Sequence, residues 1–234
     1  GLILTPGDVT LEVVNGAAVT QAYTAMETFA DGSSVDVTDR TTFALNAAGF
    51  GTFAASTLTV TGTAAGTTQV NAAFDGQLGV ANLTVKVRGI RVEPTAPANA
   101  PDLFAAATET ATQAPALVYP ADHVLVPPNL GELDVHWRDT VSNDLFEVRL
   151  KNEFVDLRIY KAGTGALWTV YQPSEWSPLA SSRVPLELTV SGLRQSATAT
   201  KGTTPLRTVD VTNEDARGGI YYWATNGAGI YRYD

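Results

Sequence analysis

The stretch that decides the fold is AYTAMETFADGSSVDVT, residues 22–38. It predicts one alternating strand, a tight polar turn and a returning strand, with Tyr23 and Ala25 on the same side of the first strand. Asp31-Gly32-Ser33 supplies the side-chain hydrogen bonding and the positive φ that a chain reversal needs. The prediction is a β-hairpin without reactive side chains, and most of the chain repeats this pattern.

The overall composition also favours strands. The 234 residues include 20 Gly and 12 Pro but only one Met, and Thr, Val and Ala are abundant. β-branched residues between frequent turn formers are typical of all-β proteins. An apolar content of 44% and a charged content of 17% indicate a folded chain, and its length allows two domains.

Charge and cysteine content exclude several classes of function. The formal net charge of −9 argues against nucleic-acid binding, which relies on clustered Lys and Arg. The absence of Cys excludes disulfides, Cys-based zinc sites, iron–sulfur clusters and thiol catalysis. A Cys-free β protein of this style points to a bacterial source. No apolar run is long enough to cross a bilayer, and the start at Gly1 fits either removal of a leader or an excised fragment.

About seven short strands separated by turns are predicted between residues 1 and 92, which makes a two-sheet sandwich the expected fold. Several short segments follow one another in a characteristic order: Phe29–Ser33 with Val37-Thr38, Gly62, Ala65–Thr68, Phe74–Gly76 and Leu83–Val85. In that order and spacing the chain resembles the bacterial Ig-like domains of group 2 (BIG2). The resemblance implies a secreted or cell-surface protein in which such domains act as spacers, adhesin segments or accessory modules, and it implies no active site.

Residues 93–115 are dense in Pro and Ala and are predicted to form an extended, semi-rigid linker. Within it, Asp102 to Glu109 could form a short helix with Asp102 as its cap. Leu103 and Phe104 would let this helix dock on a domain. A flexible tether and a docked segment both stay open.

Three strands of residues 116–234 alternate strictly. Their apolar sets are Leu133, Val135, Trp137, then Phe146, Val148, Leu150, then Val155, Leu157, Ile159. Such a period of two predicts half-buried strands with one solvated face. The residues expected on that face carry mixed charge: Asp134, His136, Arg138, Glu147, Arg149, Lys151, Asp156 and Arg158. They are expected to form weak cross-strand pairs in water.

Trp137 on an early strand, Pro120 before it, and Gly219 to Trp223 late in the domain resemble a fibronectin type III-like sandwich. Residues 168–182 are interpreted as an insertion into it. The predicted fold class is therefore all-β, with two Ig-like or fibronectin III-like β-sandwiches in tandem. They comprise residues 1–92 and 116–234 and are joined by the Pro/Ala-rich linker of residues 93–115.

Aromatic residues are the candidates for ligand binding or interaction: Trp168, Tyr171, Trp176, Tyr221 and Trp223. The first three fall in the predicted insertion and the last two in a terminal aromatic hairpin. Exposed aromatic side chains can stack on sugar rings, which would suit a carbohydrate-binding module. Packing in a core or at a domain interface is the competing interpretation and the preferred one, because aromatics commonly fill such cores.

No catalytic residue is predicted. His123 and His136 are interpreted as surface residues, and the common hydrolase and phosphate-binding motifs are absent. Asp210, Glu214 and Asp215 are weak calcium candidates, but their spacing follows neither the EF-hand nor the nonapeptide calcium-binding pattern. The aspartates near residues 31–39 are better explained as turn formers. No cofactor is therefore expected.

The function predicted from the sequence is that of a non-enzymatic extracellular or cell-surface module of a longer bacterial protein. It would act as a stalk, adhesion or interaction domain, with a protein or a glycan as partner and no nucleic acid. Two alternatives stay open. One is a carbohydrate-binding or enzyme-accessory module, and the other is a subunit that polymerises when its first strand, residues 1–4, adds to a neighbour's sheet.

Overall fold

The computed structural model describes residues 1–217, 220–224 and 229–233, and most of them lie in β-strands. The chain is all-β, with its strands arranged as two sandwiches in tandem. The strands of the first sandwich are β1 (Leu2–Thr5), β2 (Val9–Val14), β3 (Val19–Ala22), β4 (Thr24–Thr28), β5 (Ser34–Asp36), β6 (Thr42–Leu45), β7 (Thr52–Ala54), β8 (Thr57–Val60), β9 (Gly66–Phe74) and β10 (Gln77–Val92).

One face of the first sandwich is a sheet in which β6, β9, β10 and β2 lie side by side. The other face consists of two three-stranded sheets, with strand orders β1-β4-β5 and β3-β8-β7. The side chains between the two faces are almost wholly buried, as Val13, Leu58 and Leu83 show with no exposed surface. This apolar interior is what stabilises the sandwich.

The hairpin of residues 22–38 forms, but its first strand changes sheets. Val19–Ala22 pairs with β8, whereas Thr24–Thr28 pairs with β1 and β5, and the break falls at Tyr23. Tyr23 and Ala25 are both buried, as their common parity predicts. In the turn, the Oδ1 atom of Asp31 accepts hydrogen bonds from the backbone and hydroxyl of Ser33, at 2.9 and 2.6 Å. Asp31 is thus a turn-forming residue.

The second sandwich uses the remaining strands and two helices. The helices are α1 (Ala100–Ala106) and α2 (Pro173–Ser181). The strands are β11 (Thr108–Glu109), β12 (Ala116–Tyr119), β13 (Val124–Val126), β14 (Leu133–Arg138), β15 (Leu145–Lys151), β16 (Val155–Ala162), β17 (Ala166–Tyr171), β18 (Leu186–Arg194), β19 (Ala197–Thr203), β20 (Arg207–Val211), β21 (Ile220–Ala224) and β22 (Gly229–Tyr233).

One sheet of the second sandwich has the strand order β12-β14-β17. The facing sheet contains β16, β15 and β18, and β18 pairs further with β19 and β20. Residues 168–182, interpreted from the sequence as an insertion, instead supply part of β17 and all of α2. At the end of the chain β21 and β22 pair as an antiparallel hairpin. Within the described residues, no helix has the length and apolar character needed to span a membrane.

The alternation in β14, β15 and β16 is confirmed on the apolar side, where all nine residues named from the sequence are at most 6% exposed. The predicted charged face is not a single solvated face. Asp134, His136 and Arg138 lie on β14 in one sheet, whereas the other charged residues lie on β15 and β16 in the facing sheet. Glu147 and Asp156 are only 8% and 9% exposed. Each is held by neighbouring side chains: Glu147 accepts a hydrogen bond from the Tyr160 hydroxyl, and Asp156 accepts hydrogen bonds from Arg149 and Arg158.

The Pro/Ala-rich segment packs on the second sandwich and is not an extended tether. Phe104 of α1 is 1% exposed and its ring lies 5.6 Å from that of Tyr160. β11 adds to β19 in parallel, and the Nζ of Lys201 donates a hydrogen bond to the Phe104 carbonyl at 2.8 Å. The buried apolar side chains of α1 explain why the segment docks. The exact domain boundaries at residues 92 and 116 stay a prediction.

Gly202 on β19 provides a test of this docking. A Cβ atom at Gly202 would lie 2.3 Å from backbone atoms of Gln113 and Ala114, and backbone cannot move aside as a side-chain end can. We expect Gly202→Ala to lower the free energy of unfolding by about 1–3 kcal/mol. Urea unfolding measures this. Gly7→Ala is the control because its new Cβ meets nothing within 4 Å, and equal stability of the two variants would contradict the docking.

Candidate functional site: the junction between the sandwiches

The two sandwiches are joined by a strand that belongs to both. β10 is 16 residues long; its first part pairs with β9 and β2, and its last six residues pair in parallel with β16, from Val87↔Val155 to Val92↔Tyr160. A single hydrogen-bonded sheet therefore crosses the junction. One apolar cluster crosses it as well, since Val13 of the first sandwich and Leu157 of the second belong to the same buried cluster.

A second contact links helix α2 of the second sandwich to the loop of residues 61–65 in the first. Ser177 Oγ donates a hydrogen bond to the Thr63 carbonyl at 2.8 Å, and the backbone N–H of Ala65 donates to Ser181 Oγ at 3.0 Å. α2 begins with a reciprocal cap in which Glu175 Oε2 accepts from the backbone of Gln172 at 2.9 Å. This cap holds Glu175 in position at the junction.

Arg91, near the end of β10, ties these elements together. Its Nε and Nη2 atoms bind the two carboxylate oxygens of Glu175 at 2.8 and 3.2 Å, and Nη2 also donates to the Val170 carbonyl of β17 at 2.6 Å. Glu93 accepts from Arg91 at 3.3 Å and from Lys161 at 3.1 Å. Charge-assisted, two-pronged contacts of this kind fix geometry more firmly than single hydrogen bonds.

On the opposite face of the same strands, Asp156 of β16 is surrounded by arginines. Arg149 donates to both of its carboxylate oxygens at 2.8 and 2.6 Å, and Arg158 donates to both at 3.3 and 3.1 Å. Arg88 of β10 lies 3.9 Å away and also pairs with Glu12 of β2 at 2.8 Å. Burial alone would raise the pKa of Asp156, but the hydrogen bonds from Arg149 and Arg158 outweigh it and hold that pKa well below its usual value.

The junction encloses a cleft of about 720 Å³. Its walls include Val13 and Gly62 of the first sandwich, Leu157 and Pro178 of the second, and the Arg91–Glu175 pair. A Cβ on Gly62 would come within 2.9 Å of Val13, so this wall is closely packed. Four charged side chains line the cleft, namely Arg88, Arg91, Arg158 and Glu175. Each arginine is paired with a carboxylate, Arg88 with Glu12, Arg91 with Glu175 and Arg158 with Asp156. The arrangement of the cleft suits a structural joint.

The three aromatic candidates of residues 168–176 differ in their exposure to solvent. Trp168 on β17 is 55% exposed, whereas Tyr171 and Trp176 are 0% and 2% exposed. The hydroxyl of Tyr171 donates to the Val148 and Leu157 carbonyls, and burial raises its pKa well above the usual value. Tyr171 and Trp176 are therefore core residues and cannot form an exposed platform. The side chains of Tyr221 and Trp223 lie outside the described residues.

The calcium candidates do not converge in the described part of the chain. Asp210 lies beside His123, with the Nδ1 and Oδ2 atoms 3.3 Å apart, and Glu214 and Asp215 are exposed. No group of three or more His, Asp or Glu side chains that could hold a metal ion occurs among the described residues. The hydrogen bond from the Thr38 backbone to Asp36 at 2.9 Å again identifies the hairpin aspartates as turn residues.

Two features of the structure were not identified from the sequence. The first is the junction: Arg91 lies at the end of the predicted first domain, and nothing in the sequence shows which strand β10 will join. The second is a row of three rings on the outer face of the β12-β14-β17 sheet, formed by Tyr119, His136 and Trp168. Strand alternation predicts that His136 faces outward, whereas Trp168 was assigned to an insertion. Only the observed register places the two rings beside each other.

Comparison with known proteins yields similar structures at low identity. No family model and no curated protein matches this chain. Fibronectin(III)-like modules of Clostridium thermocellum CbhA cover 92% of this chain and 95% of their own at 12% identity and a TM-score of 0.29. A chimeric titin Z1Z2 tandem covers 87% and 95% at 12% identity and a TM-score of 0.27. These scores are too low to carry a conclusion, so the fold class rests on the strands and sheets themselves.

Proposed function

We propose that this chain is a rigid, non-enzymatic spacer and interaction module of a bacterial extracellular or cell-surface protein. The observation that carries the proposal is the shared strand β10, which continues one sheet from the first sandwich into the second. A flexible linker would let two sandwiches swing independently, whereas a bend at this junction must break sheet hydrogen bonds and expose apolar surface. Rigidity of this kind suits a stalk that holds a binding surface at a fixed distance.

The location is supported by the residues alone. The resemblance of residues 29–85 to group 2 bacterial Ig-like domains and the looser resemblance of the second sandwich to fibronectin III-like domains both favour an extracellular module. Polymerisation by the first strand is less favoured, because β1 is already paired with β4 and both Leu2 and Leu4 are buried.

Rigidity can be measured with two spin labels, since the chain has no native Cys. Ser34→Cys places one label on the exposed strand β5 of the first sandwich. Ser196→Cys places the other on the exposed turn between β18 and β19 of the second sandwich. We expect pulsed electron paramagnetic resonance to give one narrow distance distribution. A broad distribution of label-to-label distances, or one with several maxima, would contradict the proposal.

The same labels test Arg91. Arg91→Ala removes the contacts to Glu175, Glu93 and the Val170 carbonyl. It leaves the largely buried carboxylate of Glu175 without a cation, whereas Glu93 keeps Lys161. We expect a broader distance distribution and a loss of about 1–2 kcal/mol in the free energy of unfolding. Arg40→Ala is the control, because Arg40 contacts the Phe74 ring within the first sandwich only. Identical distributions for both variants would show that Arg91 does not stiffen the junction.

A further inference from the structure

We propose that the outer face of the β12-β14-β17 sheet binds a neutral oligosaccharide along the row formed by Tyr119, His136 and Trp168. The inference goes beyond the spacer role and does not depend on it, because the row lies within one sandwich. It replaces the binding platform predicted from the sequence, of which only Trp168 is retained here.

The row crosses all three strands at directly paired positions. His136 pairs with Trp168 in the β14–β17 ladder and with Tyr119 in the β12–β14 ladder. The ring centroids are 5.6 Å apart for Tyr119 and His136 and 6.5 Å apart for His136 and Trp168. Neighbouring strands lie about 5 Å apart, so the row offers a path of about 10 Å, which accommodates two linked sugar rings.

A β-bulge brings Tyr119 into the row. The register of β12 shifts between Leu117 and Tyr119, so that two residues of β12 lie opposite one residue of β14. Simple alternation would place Tyr119 on the same side as the buried Leu117; the bulge turns it to the outer face, where it is 43% exposed. Arg207 holds this bulge, because its guanidinium donates hydrogen bonds to the carbonyls of Leu117, Val118 and Pro120.

Trp168 is also held in place. The ammonium group of Lys161 lies 5.4 Å from the centre of the Trp168 ring, and Lys161 is itself paired with Glu93 at 3.1 Å. A cation over an aromatic face restrains the ring, so the ring has already lost this conformational freedom before a ligand binds. An aromatic surface that is ordered before binding loses less entropy when a ligand stacks on it.

The chemistry around the rings matches a sugar. A sugar presents apolar C–H faces to aromatic rings and hydroxyl groups at its rim, which need both donors and acceptors. On the same outer face of β14, Asp134 supplies a carboxylate acceptor and Arg138 a guanidinium donor, and the ring of His136 carries one of each when neutral. The two charges balance, which favours a neutral ligand over an acidic one.

The size of the row favours a small ligand over a protein. Tyr119 and Trp168 are about half exposed, so together they offer roughly 200 Å² of ring surface. A stable protein interface buries about 800 Å² on each partner. The rings are also not coplanar, since the planes are inclined by 68° and 41°. This arrangement fits a single twisted glycan chain better than a flat crystalline surface.

The test is titration of the full chain with neutral oligosaccharides, namely cello-, xylo- and chito-oligosaccharides of four to six rings as probes, followed by calorimetry and tryptophan fluorescence. We expect at least one series to bind and to change the emission of the exposed Trp168. Trp168→Ala should weaken that binding at least about tenfold, and Trp168→Phe should recover part of it. Phe29→Ala, which removes a ring 46% exposed on the first sandwich, should leave binding unchanged.

Arg207→Lys tests the role of the bulge as a positioning feature. It keeps the charge but removes the fork that contacts several carbonyls, so we expect weaker sugar binding with the far-ultraviolet circular dichroism spectrum unchanged. Binding by none of the three series would overturn the proposal. Binding that is insensitive to Trp168→Ala, or equally sensitive to Phe29→Ala, would overturn it as well. Neither result would affect the spin-label test of rigidity.

Discussion

Replacing Trp176 by alanine lowers the free energy of unfolding by about 3–5 kcal/mol, the range for deleting a large buried aromatic side chain. Trp176 lies on α2 and is 2% exposed, and its indole N–H donates to the Pro128 carbonyl at 2.8 Å. Truncation leaves a cavity beneath the helix and a carbonyl without its donor. Because α2 also contacts the loop of residues 61–65, the loss extends to the junction.

The matched control is Trp168→Ala, eight positions earlier in the chain. Trp168 is 55% exposed, so its removal should cost less than about 1 kcal/mol, mainly through the lost contact with Lys161. Urea unfolding followed by circular dichroism compares the two variants. Similar losses for both would mean that Trp176 is not a core residue. The expected pattern separates the roles of two tryptophans that look alike in sequence.

Asp156→Asn is expected to lower the free energy of unfolding by about 2–3 kcal/mol at pH 7. Removing a charge from a buried ion pair typically costs 3–5 kcal/mol. The smaller figure of about 2–3 kcal/mol applies here because Arg149 and Arg158 keep about a third of their side chains exposed to water. The exposed Glu153, changed to Gln, is the control and should change stability by less than about 0.5 kcal/mol.

The pH dependence follows from the lowered pKa of Asp156 in the folded state. A carboxylate whose pKa is depressed by folding contributes its full stabilisation above the unfolded-state pKa of about 4 and loses it as the pH falls further. The stability difference between the native chain and Asp156→Asn should therefore be largest near pH 7 and shrink below about pH 4. Unfolding measured from pH 3 to 7 tests this, and a constant difference would contradict it.

Much of the fold could be predicted from the sequence because it depends on local patterns. The period-two alternation of β14, β15 and β16 identifies the buried side of each strand, since successive side chains point to opposite faces. The turn at Asp31-Gly32-Ser33 is likewise local, because the hydrogen bonds that close it join residues two apart. The all-β class and the tandem sandwiches followed from these patterns.

The candidate sites could not be predicted in the same way. Trp168 and Trp176 lie only eight positions apart in the sequence, but one is on the outer face of an edge strand and the other on the buried side of helix α2. The bulge that exposes Tyr119 depends on contacts from Arg207, 88 residues later in the chain. Alternation alone would have turned Tyr119 inward, so its place in the row had no local signal.

By itself, the sequence determined that this chain is built from strands, which face of most strands is buried, and where the chain turns. The tertiary structure alone decided that β10 continues into the second sandwich, that α1 packs on Leu145 and Tyr160, and that three rings align on the β12-β14-β17 sheet. The reason is physical. Alternation and turns are set by neighbouring residues, whereas strand pairing and burial depend on which distant segments meet, and many pairings satisfy the same local pattern.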